Sequence, residues 1–390
     1  MMNPEKIPLW RNAKFINIFL QGILIIFLVL LLAILTNNLS NNFQQLGLTF
    51  GFNFILDPDL NSRFDIGDSP IPYQATDPYS RALLVGLLNS LRVMISGIIL
   101  AFILGVIIGL GRLSNNWLIR KISTFYVEII RNTPLLLQLF FWYSVVFLKL
   151  PKIDKPLIFF DSVFLSNQGL YLPWPMGNLQ TFLAALFLII IPIFGVIIWK
   201  KNDQNIIQQG INNKLYLILL IILIILVIFL IIWGLDWQIP QYERQLKTIQ
   251  GGLTLSPEFA TLLVGLTVYT AAFIAEVIRA GIQSVSQGQW EAAKSLGLSS
   301  GLIMRFVIFP QALRVIIPPL TSEFLNLAKN SSLGSAVAYR DIYAVASTIS
   351  NQTGKSLEML LIVMITYLTI NLIISTGMNW LNRLVQIKEN

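Results

Sequence analysis

Two stretches of this sequence set an acid three residues before a base inside apolar runs: Glu128-Ile129-Ile130-Arg131 and Glu276-Val277-Ile278-Arg279. That spacing puts each pair on one helical face, and an unpaired charge at membrane depth costs several kcal/mol. Mutual ion pairs locking helices together are the first expectation, with gating and direct substrate contact as the alternatives. Arg131-Asn132-Thr133-Pro134 follows the first pair directly. Proline removes a backbone hydrogen bond and kinks a helix, freeing carbonyls, so either a packing kink or a cavity is expected there. Pro318-Pro319, followed by Glu323, Asn326, Lys329, Asn330, Ser331 and Ser332, is the most polar run in any expected helix. Glu323, Asn326, Asn330, Ser331 and Ser332 are the candidate lining of a passage, and a buried hydrogen-bond network is the competing reading.

Several chemistries are excluded. The chain contains no cysteine and no histidine, so disulfides, thiol catalysis, a histidine general base and the usual zinc and haem ligands are ruled out. No glycine-rich loop ending in Gly-Lys-Ser/Thr occurs, so the usual nucleotide cradle is missing. No catalytic residue, metal or cofactor is expected on this chain, and energy for any transport must come from elsewhere.

The elements that must hold these residues are membrane helices. Of 390 residues, 55% are hydrophobic and 12% charged, with a mean hydropathy of +0.71, whereas soluble domains carry about twice that charge. Leu215 to Trp233 has no charge over roughly the length that crosses a bilayer. Backbone satisfaction in lipid demands helices, and no alternating pattern suggests a barrel. Hydropathy gives about eight spans, near 16–36, 82–111, 123–148, 181–199, 215–234, 258–282, 306–337 and 357–381. The first follows Lys6, Arg11 and Lys14 as a signal sequence would, yet it is long and lacks a cleavage site, so it reads as a retained helix.

The net charge of +8 is spread over short loops and fits membrane orientation better than nucleic-acid binding. Arg112, Arg120 and Lys121, then Lys200, Lys201 and Lys214, then Lys294 and Arg305, and finally Arg383 and Lys388 share one side with the N-terminus. The other side holds Arg63 among Asp57, Asp59, Asp65, Asp68 and Asp77. Lys149, Lys152 and Lys155 oppose the rule, but the balance places both termini in the cytoplasm. The outer segments 37–80 and 149–180 read as interface-hugging loops, and the two helices inside 149–257, nearly pure Leu, Ile and Phe, as lipid-facing scaffold. The chain thus divides into 1–80, with the first helix and an external loop; 81–148; an insertion at 149–257; and 258–390.

Between two of the spans lies a polar island: Glu291-Ala292-Ala293, then Gly297, then Val307-Ile308-Phe309-Pro310. Its punctuation suits a helix and turn that project from the membrane. Trp290 to Gly297 with Phe309 to Arg314 resembles the cytoplasmic coupling loop, or EAA motif, of the membrane subunits of bacterial ATP-binding-cassette importers. Val307 and Phe309 stand where isoleucine and leucine are commoner. Tyr126 to Leu136, Ala275 to Ile282 and Pro310 to Pro319, continued by Thr321 to Ser332, are similar to the polar amino acid permease group. The extra first helix and the two-helix insertion look like the general L-amino-acid branch.

The resemblance implies an all-α integral membrane protein, the transmembrane domain of a type I importer, in the bacterial inner membrane. It implies a non-enzymatic permease subunit of an ATP-driven, binding-protein-dependent amino-acid importer. Its partners would be a second homologous permease, two ATPases carrying ATP and magnesium, and an external amino-acid-binding protein. Carried onto this chain, the loop 283–305 is the coupling loop, with Glu291, Ala292, Ala293, Gly297 and Pro310 as its ATPase-facing residues. Glu291 would cap the short helix or meet a basic ATPase residue, and Gly297 would supply its turn. The alternative from another class is an ion-coupled secondary amino-acid transporter, with a channel third.

Overall fold

A computed structural model describes residues 13–45, 50–57, 60–209, 214–243 and 248–385. Lys6, Arg11 and Lys388, and with them the expected placement of the chain ends, lie outside the described residues. The fold is helical: α1 (Ala13–Gln45), the short α2 (Asn53–Leu56), α3 (Tyr79–Arg112), α4 (Trp117–Arg131) and α5 (Leu135–Phe141) come first. Then come α6 (Leu179–Gln209), α7 (Lys214–Phe229), α8 (Pro257–Gln283), α9 (Gln287–Ser295), α10 (Ser300–Ile303), α11 (Phe309–Asn330), α12 (Ile342–Thr353) and α13 (Ser356–Val385). Among the described residues seven helical stretches are long and apolar enough to cross a membrane, and Leu135–Lys149 is a shorter apolar one.

That shorter stretch corrects the expected span at 123–148. Helix α4 ends at Arg131, and α5 begins only after Asn132, Thr133 and Pro134. Pro134 has no N–H to give, and it disfavours helical backbone at Thr133. The carbonyls so freed are satisfied locally: Thr133 Oγ1 donates to Ile129 and Ile130, and Gln138 Nε2 donates to the Ile130 carbonyl at 3.0 Å and to Thr133. The break is a kink with exposed residues at its turn.

The core is centred on α3 and α8. Their axes approach so closely that a Cβ at Gly105 would stand 2.6 Å from Ile274 Cγ2, and one at Gly109 2.8 Å from the Ala275 carbonyl. Small residues at a helix crossing are how membrane helices gain packing contacts that hydrophobicity cannot supply in lipid. Within its membrane window α8 is 61% buried, whereas the inserted α6 is 11% and α7 0% buried, so the insertion lies outside the core.

The segment 149–180 differs from the loops expected of it. It forms strands β1 (Leu157–Phe159), β2 (Val163–Ser166), β3 (Gly169–Leu172) and β4 (Trp174–Pro175), joined after α7 by β5 (Trp237–Gln238), β6 (Gln241–Glu243), β7 (Thr248–Gln250) and β8 (Leu253–Leu255). An antiparallel sheet of order β1-β2-β3-β8 pairs Leu172 with Leu253 and Leu170 with Leu255. Because β8 leads straight into α8, this sheet clamps both ends of the insertion to the N-terminal end of that helix. The loop after α2 is also packed: Ile66, with Tyr79 and Ala82 of α3, buries against Ile342, Val345 and Ile349 of α12.

Candidate functional site

Helix α9 is a short exposed helix tied firmly to the core. Its inner face buries Ala293 (3% exposed) beside the half-buried Trp290. It ends where Gly297 takes φ +73°, a left-handed conformation that costs other residues roughly 1–2 kcal/mol. Gly297 N–H donates to the Lys294 carbonyl at 2.9 Å, and Leu298 N–H donates to the Ala293 carbonyl at 3.4 Å. These are the two bonds of a Schellman cap. Glu291 does not cap the helix. It sits mid-helix, exposed, accepting from Gln287 Nε2 at 2.9 Å. Ala292 is exposed beside it, and Leu296 is 79% exposed.

The knob is also fastened to the next membrane helix. Gln311 Nε2 donates to Gln289 Oε1 at 3.1 Å and to the Val307 carbonyl at 2.9 Å. Val307 lies in a π-helical turn, Met304–Ile308, that leads into α11. Pro310 is the second residue of α11, directly after that π-helical turn.

Above α9, Glu276 is shared by two bases. It forms an ion pair with Arg112 at the end of α3, and its Oε1 accepts from Arg279 Nη2 at 2.5 Å. Arg279 Nη1 also donates to Gln283. The cluster ties the ends of α3 and α8 together just before α9. The other expected pair is not formed: Glu128 is exposed and makes no ion pair with Arg131. The Arg131 guanidinium lies 5.1 Å from the Phe273 ring instead.

The polar run on α11 divides in two. Glu323 is half-buried beside Asn326, and Asn326 and Lys329 are exposed, on one stripe with Val315, Pro318, Pro319 and Ser322. Ser331 is fully buried and Asn330 and Ser332 are half-buried; Ser331 Oγ donates to the Ala328 carbonyl and Ser332 Oγ to the Lys329 carbonyl. Ser331 therefore faces the interior of this chain. Ser322 and Lys329 belong to the exposed stripe instead.

A cleft of about 1360 Å³ opens at the other end of α8. Asp68, Arg92, Asn167, Glu258, Phe259 and Tyr339 line it, and sequence reasoning named none of them as a site. Behind it Tyr339 Oη donates to the Asn89 carbonyl, and Asn89 Nδ2 donates to the Asp68 and Arg340 carbonyls. Next to this turn Asp341 caps α12 by accepting from Ala344 N–H at 2.8 Å, and it also accepts from Tyr367 Oη at 3.1 Å. Burial pushes the Asp341 carboxyl up to about 7 against these hydrogen bonds.

The model of the family described as binding-protein-dependent transport system inner membrane component matches residues 215–387. The putative amino-acid ABC transporter permease protein YhdX of Escherichia coli is 44% identical over 91% of this chain and 90% of its own. The chain belongs to the amino-acid ABC transporter permeases. The permease is also 39% identical to the general L-amino acid transport system permease protein AapQ of Rhizobium johnstonii, over 97% of this chain and 94% of that one. It is 38% identical to the glutamate/glutamine/aspartate/asparagine transport system permease protein BztB of Rhodobacter capsulatus, over 97% and 95%.

Proposed function

We propose that this permease forms half of an amino-acid passage with a second, homologous permease, and that two cytoplasmic ATPases drive it while an external binding protein delivers cargo. ATP and magnesium are held by the ATPases. Both chain termini and α9 lie on the cytoplasmic side, and the sheet, α12 and the cleft lie outside. The names of the relatives point to amino acids as cargo, with glutamate, glutamine, aspartate and asparagine as the named set for one of them.

The observation that carries this reading is the form of α9. It is capped at its C-terminus, anchored by Ala293 and by the Gln289–Gln311 bond, and bare on the side of Glu291, Ala292 and Leu296. A loose loop would absorb a push, whereas this knob passes it through the π-helical turn into α11. Closure of the ATPases on ATP moves the knob, and α11, with its exposed polar stripe, moves with it. The passage then opens alternately to each side. ATP and the loaded receptor must both favour the outward form, since a ligand shifts an equilibrium only through unequal affinity for its two states.

The absence of native cysteine provides a direct test. Leu296→Cys is expected to cross-link to an ATPase subunit bearing a single cysteine in its receiving groove, with a yield that changes on ATP binding. A cross-link to no ATPase, in membranes where uptake is active, would overturn the assignment of α9.

A further inference from the structure

The cleft at the N-terminal end of α8 holds a charge arrangement that coupling does not use. Arg92 is the one charged residue between Ala82 and Gly111, and an ionisable group in such a run marks function by default. Its guanidinium stacks 4.1 Å from the Phe259 ring centroid and donates through Nη2 to Asp68 Oδ2 at 2.8 Å. The same Asp68 oxygen accepts the Ser256 N–H at 3.3 Å, at the cap of α8. A carboxylate is thus already seated between a guanidinium and a backbone N–H at the start of a 27-residue helix, which is how proteins hold anions.

That carboxylate is the chain's own, and it is placed to leave. The Asp68 backbone carbonyl is held separately by Asn89 Nδ2 at 2.8 Å, so its side chain can swing while its main chain stays. The cleft beside it has room for an amino acid several times over. Two buried polar atoms on its lining residues have no hydrogen-bond partner among the described residues, the donor Arg92 Nε and the acceptor Asn167 Oδ1, and Glu258, which accepts from Tyr143 Oη at 3.1 Å, adds a carboxylate. Acceptors for an ammonium next to donors for a carboxylate complement a zwitterion.

We infer that this cleft is an outer subsite for the α-carboxylate and α-ammonium of a free amino acid, and that Asp68 occupies the carboxylate position when the subsite is empty. The inference rests on the proposed amino-acid cargo. An incoming carboxylate takes Arg92 Nη2 and the Ser256 N–H from Asp68, while Asn167 and Glu258 face the ammonium. Asp68 then acts as a resident competitor that keeps affinity low, which suits a station the cargo must leave again.

A purely structural Asp68–Arg92 pair predicts that removing either partner weakens the protein and its binding alike. Competition predicts opposite signs. The test is equilibrium binding of radiolabelled L-glutamine to the complete importer in nanodiscs without the binding protein. Asp68→Asn should bind about threefold to tenfold more tightly than wild type, Arg92→Gln about tenfold more weakly, and Arg92→Lys in between. The α-amide of glutamine should fail to compete. Equal weakening in Asp68→Asn and Arg92→Gln, no change in either, competition by the amide, or no saturable binding up to roughly 10 mM would each overturn the subsite. Uptake by wild type with the binding protein present is measured in parallel: its absence removes the cargo assignment, while normal uptake with unaltered binding in the variants removes only the subsite.

Discussion

Leu298 N–H reaches back to the Ala293 carbonyl at 3.4 Å across Gly297, closing the end of the helix proposed to receive the ATPase stroke. A Cβ at Gly297 would meet nothing within 4 Å, so the glycine is required by its φ of +73° alone. Gly297→Val should cost the local turn about 1–2 kcal/mol and loosen the knob without disturbing the bundle. Membrane insertion and ATP hydrolysis should persist while uptake per ATP falls severalfold. Gly297→Asn, which tolerates the left-handed region better, should retain most of the coupling. Equal coupling ratios in wild type and Gly297→Val would contradict this role.

The Glu276 cluster and Glu128 make a matched pair of tests. Glu276→Gln leaves Arg112 and Arg279 without their shared partner, and their side chains are 14% and 29% exposed. Discounted for that exposure, the loss should be about 1–3 kcal/mol, read as a lower midpoint of thermal unfolding in detergent. Glu128→Gln breaks no ion pair among the described residues and should stay within about 0.5 kcal/mol of wild type. A larger effect from Glu128→Gln than from Glu276→Gln would reverse the assignment.

Asp341 gives the end of the bundle at α12 a pH dependence. Its carboxyl is raised by burial from an ordinary value of 3.8 to about 7. The folded state therefore binds its proton more tightly than the unfolded state does. The stability this supplies is full below about pH 4 and is lost as pH rises through about 7. Hydrogen exchange of the α12 amides should slow as pH is lowered from 8 to 5, after correction for intrinsic rates, and Asp341→Asn should flatten the profile. An unchanged slope in Asp341→Asn would assign the dependence elsewhere.

Local signals carried most of the helical architecture and the knob. Long apolar runs located seven of the expected spans, and Gly297 was legible as a turn because a glycine closing a polar helix has few other uses. The run at 123–148 misled because Phe125 and Ile129 of α4 are apolar yet exposed, so hydropathy merged α4 with α5 across Pro134. Helix α12 was passed over although Asp341 and Gly354 punctuate it as N-cap and left-handed C-cap, because it lies between two longer apolar stretches. The sheet was illegible for another reason. Its strands are three or four residues long, and Leu172 pairs with Leu253 across the two inserted helices. Asp68 and Arg92 meet by the same kind of distant pairing, although Arg92 alone in its apolar run was a signal available to the eye.

The central claim is that this chain borrows ATP energy through α9, and uptake in proteoliposomes tests it most directly. The permease, its partner permease and the ATPases are reconstituted with binding protein outside and ATP inside, and labelled glutamine entry is followed. Uptake should require ATP, stop with vanadate, ignore a protonophore at constant ATP, and fall severalfold in Gly297→Val while ATP hydrolysis continues. Uptake that survives vanadate and collapses with the protonophore would contradict the account and return the chain to ion-coupled transport.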